Sequence, residues 1–204
     1  MASINYMMAT IAACDASYVQ QALQHVEGLA AELRDKAGAA TTRYGVLSTG
    51  EQAGSLVLFQ TYEELNGIDR ALKVYAESSD YQSIITSGKI QVRLRNIVKL
   101  EALQLQNPSS DLPAYGVVTR LASSSPMMDQ MEQLVPLFEE NGAMVIRYGT
   151  LVTGENAGKR LLGVGYPSMD AIEKTYDALR ASDIYTSMLG EVDLESRNII
   201  RFVG

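Results

Sequence analysis

The chain has 204 residues, of which 47% are hydrophobic and 20% charged, a balance that suits a soluble protein of one large domain or two small ones. Its formal charge of -7, with no run of Lys or Arg anywhere, excludes a nucleic-acid partner, because affinity for a phosphate backbone comes from clustered cations. One cysteine, Cys14, and one histidine, His25, supply neither an internal disulfide nor the ligand set of a usual zinc site.

At the N-terminus, Met7 to Asp15 reads MMATIAACD, which imitates the small-residue run before a lipoprotein cysteine. The preceding residues carry no Lys or Arg and the apolar stretch is too short for a signal core, so a first strand over Ile4 to Ala13 is expected instead. A helix from Ser17 to Lys36 follows, with Val19, Leu23, Val26, Ala30 and Leu33 on one stripe. Strands over Thr41 to Ser48 and Ser55 to Gln60 form a hairpin through the glycine-bearing turn at Thr49 to Gly54. The next helix is expected from Thr61, with Glu64 completing a capping box and Leu65, Ile68, Leu72 and Tyr75 buried. A helical turn at Asp80 to Ile85 and a strand over Ile90 to Leu100 end this series.

The same order then returns. RYGVLSTGEQAG at Arg43 to Gly54 reappears as RYGTLVTGENAG at Arg147 to Gly158, nine of twelve positions being identical at an offset of 104 residues. Around it lie strands at Tyr115 to Ala122, Ala143 to Val152, Lys159 to Tyr166 and Val192 to Val203. A helix over Pro126 to Asn141 begins with one proline and contains a second, Pro136, which should kink it or end a turn. Another begins at Ser168, where Met169, Ile172, Tyr176 and Leu179 repeat the earlier stripe 104 residues on. Residues 1–103 and 114–204 are therefore expected to be two similar units, joined by a surface linker over 104–113 that holds two of the five prolines.

Strand, helix, two strands, helix, strand is the ferredoxin-like split βαβ order, an antiparallel sheet with helices on one face, so the fold class is α+β. Runs such as Leu56 to Phe59 and Met144 to Ile146 are apolar on consecutive residues, as in sheets covered on both sides. Leaving roughly 600 Å² of apolar sheet wet would forgo about 15 kcal/mol, so the two sheets are expected to cover each other face to face.

The duplicated hairpin, together with SSDYQS at Ser78 to Ser83 and SDIYTS at Ser182 to Ser187, resembles the dimeric α+β barrel proteins in the form where two ferredoxin-like units are fused. That resemblance spans nearly the whole chain outside the linker. It implies the barrel fold and admits cofactor-free monooxygenases of antibiotic biosynthesis, haem enzymes such as chlorite dismutases, isomerases and proteins with no assigned reaction. Haem would need an axial histidine, and His25 lies about a quarter turn off the apolar stripe of its helix, where it reads as a partly exposed helix residue. No cofactor and no metal are expected.

The polar residues left for chemistry are paired between the repeats: Arg43 and Tyr44 with Arg147 and Tyr148, Arg95 and Asn96 with Arg197 and Asn198. Strand alternation sends one member of each pair into the barrel. A buried arginine needs a partner, either a carboxylate such as Glu51 or Glu155, or the acid group of a ligand. These residues are the candidate ligand-binding set, with arginine holding an anionic or enolate-like group and tyrosine donating a hydrogen bond or proton. The plainer reading is that the arginines pair locally and hold the hairpin. Asp80 and Asp183 read as helix caps with Tyr81 and Tyr185 packing beside them, and the nine methionines suit either an adaptable cavity or an ordinary core.

Two functions stand at this point. One is a small-molecule-binding barrel for a small apolar or anionic ligand, as a cofactor-free monooxygenase or isomerase. The other is a non-catalytic assembly protein with a filled interior. A cavity of roughly 300 Å³ would separate them. A cytoplasmic protein without a membrane segment, with room for homodimer formation, completes the expectation.

Overall fold

A computed structural model describes residues 3–204. Nine residues, apolar at all but Thr10, form β1 (Tyr6–Cys14), and a 3-10 turn leads into α1 (Val19–Ala37). Then come β2 (Thr41–Leu47), β3 (Leu56–Tyr62), α2 (Asn66–Glu77), α3 (Ser79–Thr86) and β4 (Ile90–Leu100). The second half contains β5 (Tyr115–Ala122), α4 (Met128–Glu140), β6 (Val145–Leu151), β7 (Arg160–Tyr166), α5 (Met169–Arg180), α6 (Asp183–Leu189) and β8 (Asp193–Phe202).

Within each half the antiparallel strands lie in the split βαβ order, and the halves join edge to edge, β2 to β8 and β4 to β6, so that all eight strands close one barrel. The two sheets therefore face each other, as expected, and also share their edges. Closure removes every free strand edge from the described sheet. One set of alternate residues, including Met8, Tyr44, Leu58 and Tyr62 in the first half and Val117, Ile146, Tyr148 and Tyr166 in the second, packs beneath the helices. The other set, including Met7, Val57, Val98, Leu151 and Ile200, points into the barrel and forms two smaller clusters there.

The duplicated hairpin is the closure device. A Cβ on Gly45 would lie 2.1 Å from the Arg201 carbonyl oxygen, and one on Gly149 2.3 Å from that of Lys99, so only glycine lets β8 and β4 approach. The Thr49 hydroxyl accepts from the Ile199 N–H at 2.8 Å, and the Thr153 hydroxyl from the Ile97 N–H at 2.8 Å. Gly50 and Gly154 adopt φ of 86° and 83° beneath the side chains of Asn198 and Asn96, so each half's turn is clasped by the other half's last strand. Glu51 and Glu155, expected as arginine partners, lie exposed in these turns and form no ion pair among the described residues.

Several local expectations are corrected. Thr61 belongs to β3 and pairs its hydroxyl with Thr41 at 2.7 Å, so it caps no helix. The α2 stripe is rotated: Gly67, Ile68, Ala71, Val74 and Tyr75 are buried, while Leu65 and Leu72 are about half exposed, as is Met169. The Tyr62 ring causes this, because it would stand 2.3 Å from a Cβ on Gly67 and draws the small face of α2 onto itself. The caps of α3 and α6 are Ser78 and Ser182, whose hydroxyls accept from the Tyr81 and Tyr185 N–H groups, whereas Asp80 accepts from or pairs with His25 at 2.9 Å. Helix α4 starts at Met128, after Met127 at φ 54°, and runs on through Pro136.

Residues 104–113 are mostly exposed but anchored. Leu103 and Leu105 are buried in the second-half core, Glu139 accepts from the Gln106 and Asn107 N–H groups at 2.9 and 2.6 Å, and Ser109 donates its N–H to the Met144 carbonyl at 3.2 Å. This strap carries Ser109 to Pro113 across one mouth of the barrel.

Candidate functional site

The inward set of side chains does not fill the barrel. A cavity of about 250 Å³ remains beneath the strap, somewhat under the volume sought from the sequence. Its walls are apolar at Met7, Phe59, Val118, Val145, Leu161 and Phe202, with Thr41, Thr61, Ser109, Ser110 and Asp111 as polar points. Phe59 and Phe202 meet edge to face, their centroids 6.4 Å apart.

The space arises from an asymmetry between the repeats. Strand pairing places Gly116 of β5 where β1 has Met7, and Gly163 and Gly165 of β7 where β3 has Phe59 and Thr61. Three side chains that plug the first half are thus missing from the second. A Cβ on Gly116 would strike the Phe202 ring at 2.6 Å, and one on Gly165 would meet Val145 and Pro113 below 3.0 Å. Gly163 differs, since its Cβ would find nothing nearer than 3.9 Å and its φ lies outside the left-handed region. Neither backbone geometry nor crowding requires glycine there.

Two charges enter this space. Arg43 on β2 and Arg147 on β6 both line the cavity, each half-buried. Each donates through Nη1 only to the carbonyl of the residue before it, Thr42 at 2.8 Å and Ile146 at 2.9 Å, and neither joins an ion pair among the described residues. Burial lowers the pKa of both guanidinium groups, and for Arg43 the charge of Arg34 adds to the effect. The arginines remain cations, with unused donors facing an apolar space.

The other candidates lie elsewhere. Tyr44 and Tyr148 point to the helix side, where the Tyr148 hydroxyl donates to the Pro126 carbonyl at 2.7 Å and burial pushes its pKa up to about 12. Arg95 and Arg197 also face the helices, stacked 4.2 Å from Tyr75 and 4.5 Å from Tyr176 and donating to the hydroxyls of Tyr81 and Tyr185. Asn96 and Asn198 clasp the hairpin turns. Gly163 and Asp111 are additions that the sequence reading missed. The signal for Gly163 was present as the mismatch Phe59 against Gly163 at the repeat offset, whereas Asp111 belongs to no repeat.

Haem does not fit these residues. No histidine, cysteine or tyrosine lines the cavity among the described residues, and His25 is held outside the barrel by Asp80 on α3. No three His, Cys, Asp or Glu residues converge as a metal site among the described residues, and no helix is long and apolar enough to cross a membrane.

Solved structures share this architecture at low identity. A putative monooxygenase from Fusobacterium nucleatum subsp. nucleatum is 11% identical with a TM-score of 0.70, covering 100% of this chain and 94% of its own. A mutant chlorite dismutase from Candidatus Nitrospira defluvii is 8% identical with a TM-score of 0.66, covering 100% and 93%. An anthrone oxidase-like protein is 13% identical with a TM-score of 0.61, covering 99% and 92%. At such identity the likeness establishes the dimeric α+β barrel fold and nothing further. A search of curated proteins finds no match. The family model described as domain of unknown function DUF6854 matches residues 4–100 and 113–202, and the chain belongs to that family.

Proposed function

We propose that the barrel binds a compact organic anion and acts on it without a cofactor, as a monooxygenase or isomerase. The observation that carries this reading is the pair of unpaired arginines, Arg43 and Arg147, in an apolar cavity that Gly163 holds open. A half-buried cation without a counter-ion costs stability, and a ligand carboxylate or enolate would supply the missing charge. A cavity of about 250 Å³ suits a body of one or two fused rings.

Both proposed reaction classes begin with loss of a proton next to a carbonyl. Guanidinium donors aimed at the carbonyl oxygen stabilise the enolate as it forms, an effect strengthened by the apolar walls. Asp111 is the one carboxylate among the lining residues and takes the role of proton acceptor from the strap. The monooxygenase and anthrone oxidase-like names of two structural relatives agree with this chemistry.

The test is thermal shift with benzoate, salicylate and 2-naphthoate, alongside denaturing mass spectrometry of the purified protein for a copurified acid. The carboxylates should raise Tm in the wild type and not in Gly163→Phe, which restores the plug of the first half. An equal response in both proteins, or none in either across the panel, would favour a non-catalytic barrel.

A further inference from the structure

The charged groups of the cavity are sorted by depth. Phe202, at the end of β8, donates its N–H to the Ala114 carbonyl at 2.9 Å, and Met144, just before β6, accepts from the Ser109 N–H, so both strands meet the strap at one end of the barrel. Strand β2 runs antiparallel to β8 and therefore begins at that end as well. Arg43 and Arg147 are the third residues of β2 and β6, which stand four places apart in the eight-strand ring and so face each other. Their Cα atoms lie about 7 Å along each strand from its first residue, and the bond from each guanidinium to the preceding carbonyl holds it near that level. Asp111 lies on the strap, between the anchors at Ser109 and Ala114, and forms no ion pair with either arginine among the described residues.

We infer that the cavity takes an aromatic acid bound carboxylate first, with a hydroxyl group on the ring end that stays under the strap; this rests on the anion-binding reading above. Two cations at one level and a carboxylate nearer the mouth give a monoanion a single favoured direction. At the arginine level Arg147 has the room, because its cross-strand partner is Gly163, whereas Arg43 stands beside Phe59. The ring body then lies between Val145, Leu161 and Phe202. Whatever its far end presents to Asp111 must donate, since a carboxylate only accepts. Ser109 narrows the choice further. Its Oγ accepts the Asp111 N–H at 3.1 Å, which leaves its own hydroxyl proton to give away, and it lines the same cavity. A ligand hydroxyl satisfies both, donating to Asp111 and accepting from Ser109, which neither a bare ring nor a second carboxylate does.

Calorimetric titration with three probes tests this: 2-naphthoate, 6-hydroxy-2-naphthoate, whose hydroxyl is remote from the acid, and 3-hydroxy-2-naphthoate, whose hydroxyl adjoins it. The 6-hydroxy acid should bind about fivefold more tightly than 2-naphthoate, and the 3-hydroxy acid should show no such gain. Asp111→Ala should keep its Tm, because the strap is anchored by Glu139 and Met144, and should bind 2-naphthoate at least as well as the wild type while the advantage of the 6-hydroxy acid disappears. Equal affinity for 2-naphthoate and its 6-hydroxy derivative, an equal gain from the 3-hydroxy acid, an advantage that survives Asp111→Ala, or weaker binding of 2-naphthoate to that variant each overturns the inference while leaving the anion-binding reading in place. If none of the three acids binds, both fall together.

Discussion

Glycine inside a strand forgoes packing and carries excess backbone entropy into the unfolded state, so each such position asks for a local cause. Gly45 and Gly149 have theirs in the carbonyls of Arg201 and Lys99, while Gly163 has none except the space it leaves. Gly45→Ala should therefore cost about 3 kcal/mol or more, a fall in Tm of roughly 6 °C or greater, because a rigid backbone atom must move. Gly163→Ala should hold or gain up to about 1 kcal/mol in the same thermal melts. Arg147→Met should keep Tm within about 3 °C, since it removes an uncompensated charge, yet weaken 2-naphthoate binding by about tenfold or more in calorimetric titration. A large loss of Tm with unchanged affinity would return Arg147 to a purely structural role. At this scale the sequence displayed Arg43 and Arg147 plainly through repetition. It displayed Gly163 only through a difference between repeats, and identity is the louder signal.

Elements were more legible than the faces they present. Periodicity located every strand and most helices closely, with α2 beginning at Asn66 and not at Thr61, because alternation and helical spacing are local properties of the chain. Which side of α2 is buried depends on a contact with Tyr62 on β3, and the role of the strap depends on where β6 and α4 place it. Both are tertiary facts. Because Asp111 lines the same cavity as the two arginines, Asp111→Asn should tighten binding of a carboxylate about threefold at low salt, and less at high salt. If Asp111 is also the proton acceptor, the same variant should bind better while turnover falls, a split that titration and kinetics read separately.

At the scale of the molecule, the barrel buries phenols beneath both helical layers. Desolvation raises the pKa of Tyr62 and Tyr166 and pushes Tyr148 up to about 12, so these groups stay neutral in the folded state where the unfolded chain ionises. Stability should be flat across neutral pH and begin to fall above the unfolded value of about 10, by about 1.4 kcal/mol per pH unit for each such tyrosine until its folded pKa is reached. Denaturant melts between neutral pH and the alkaline limit test this, and a flat profile would mean the rings are wetter than they stand. Residues 114–204 expressed alone would expose the inner face of their sheet and the seams on β6 and β8, so they should form a dimer or larger species by light scattering.

The mismatch of Met7, Phe59 and Thr61 against Gly116, Gly163 and Gly165 has a consequence for ancestry as well as for binding. A barrel assembled from two identical chains obeys a two-fold axis, so a plug on one side is a plug on the other, and a hollow likewise. Once both halves are encoded in a single chain, that equality lapses, and selection can stiffen one wall while carving the opposite one. The off-centre cavity is a shape that no symmetric ancestor of this barrel could have held.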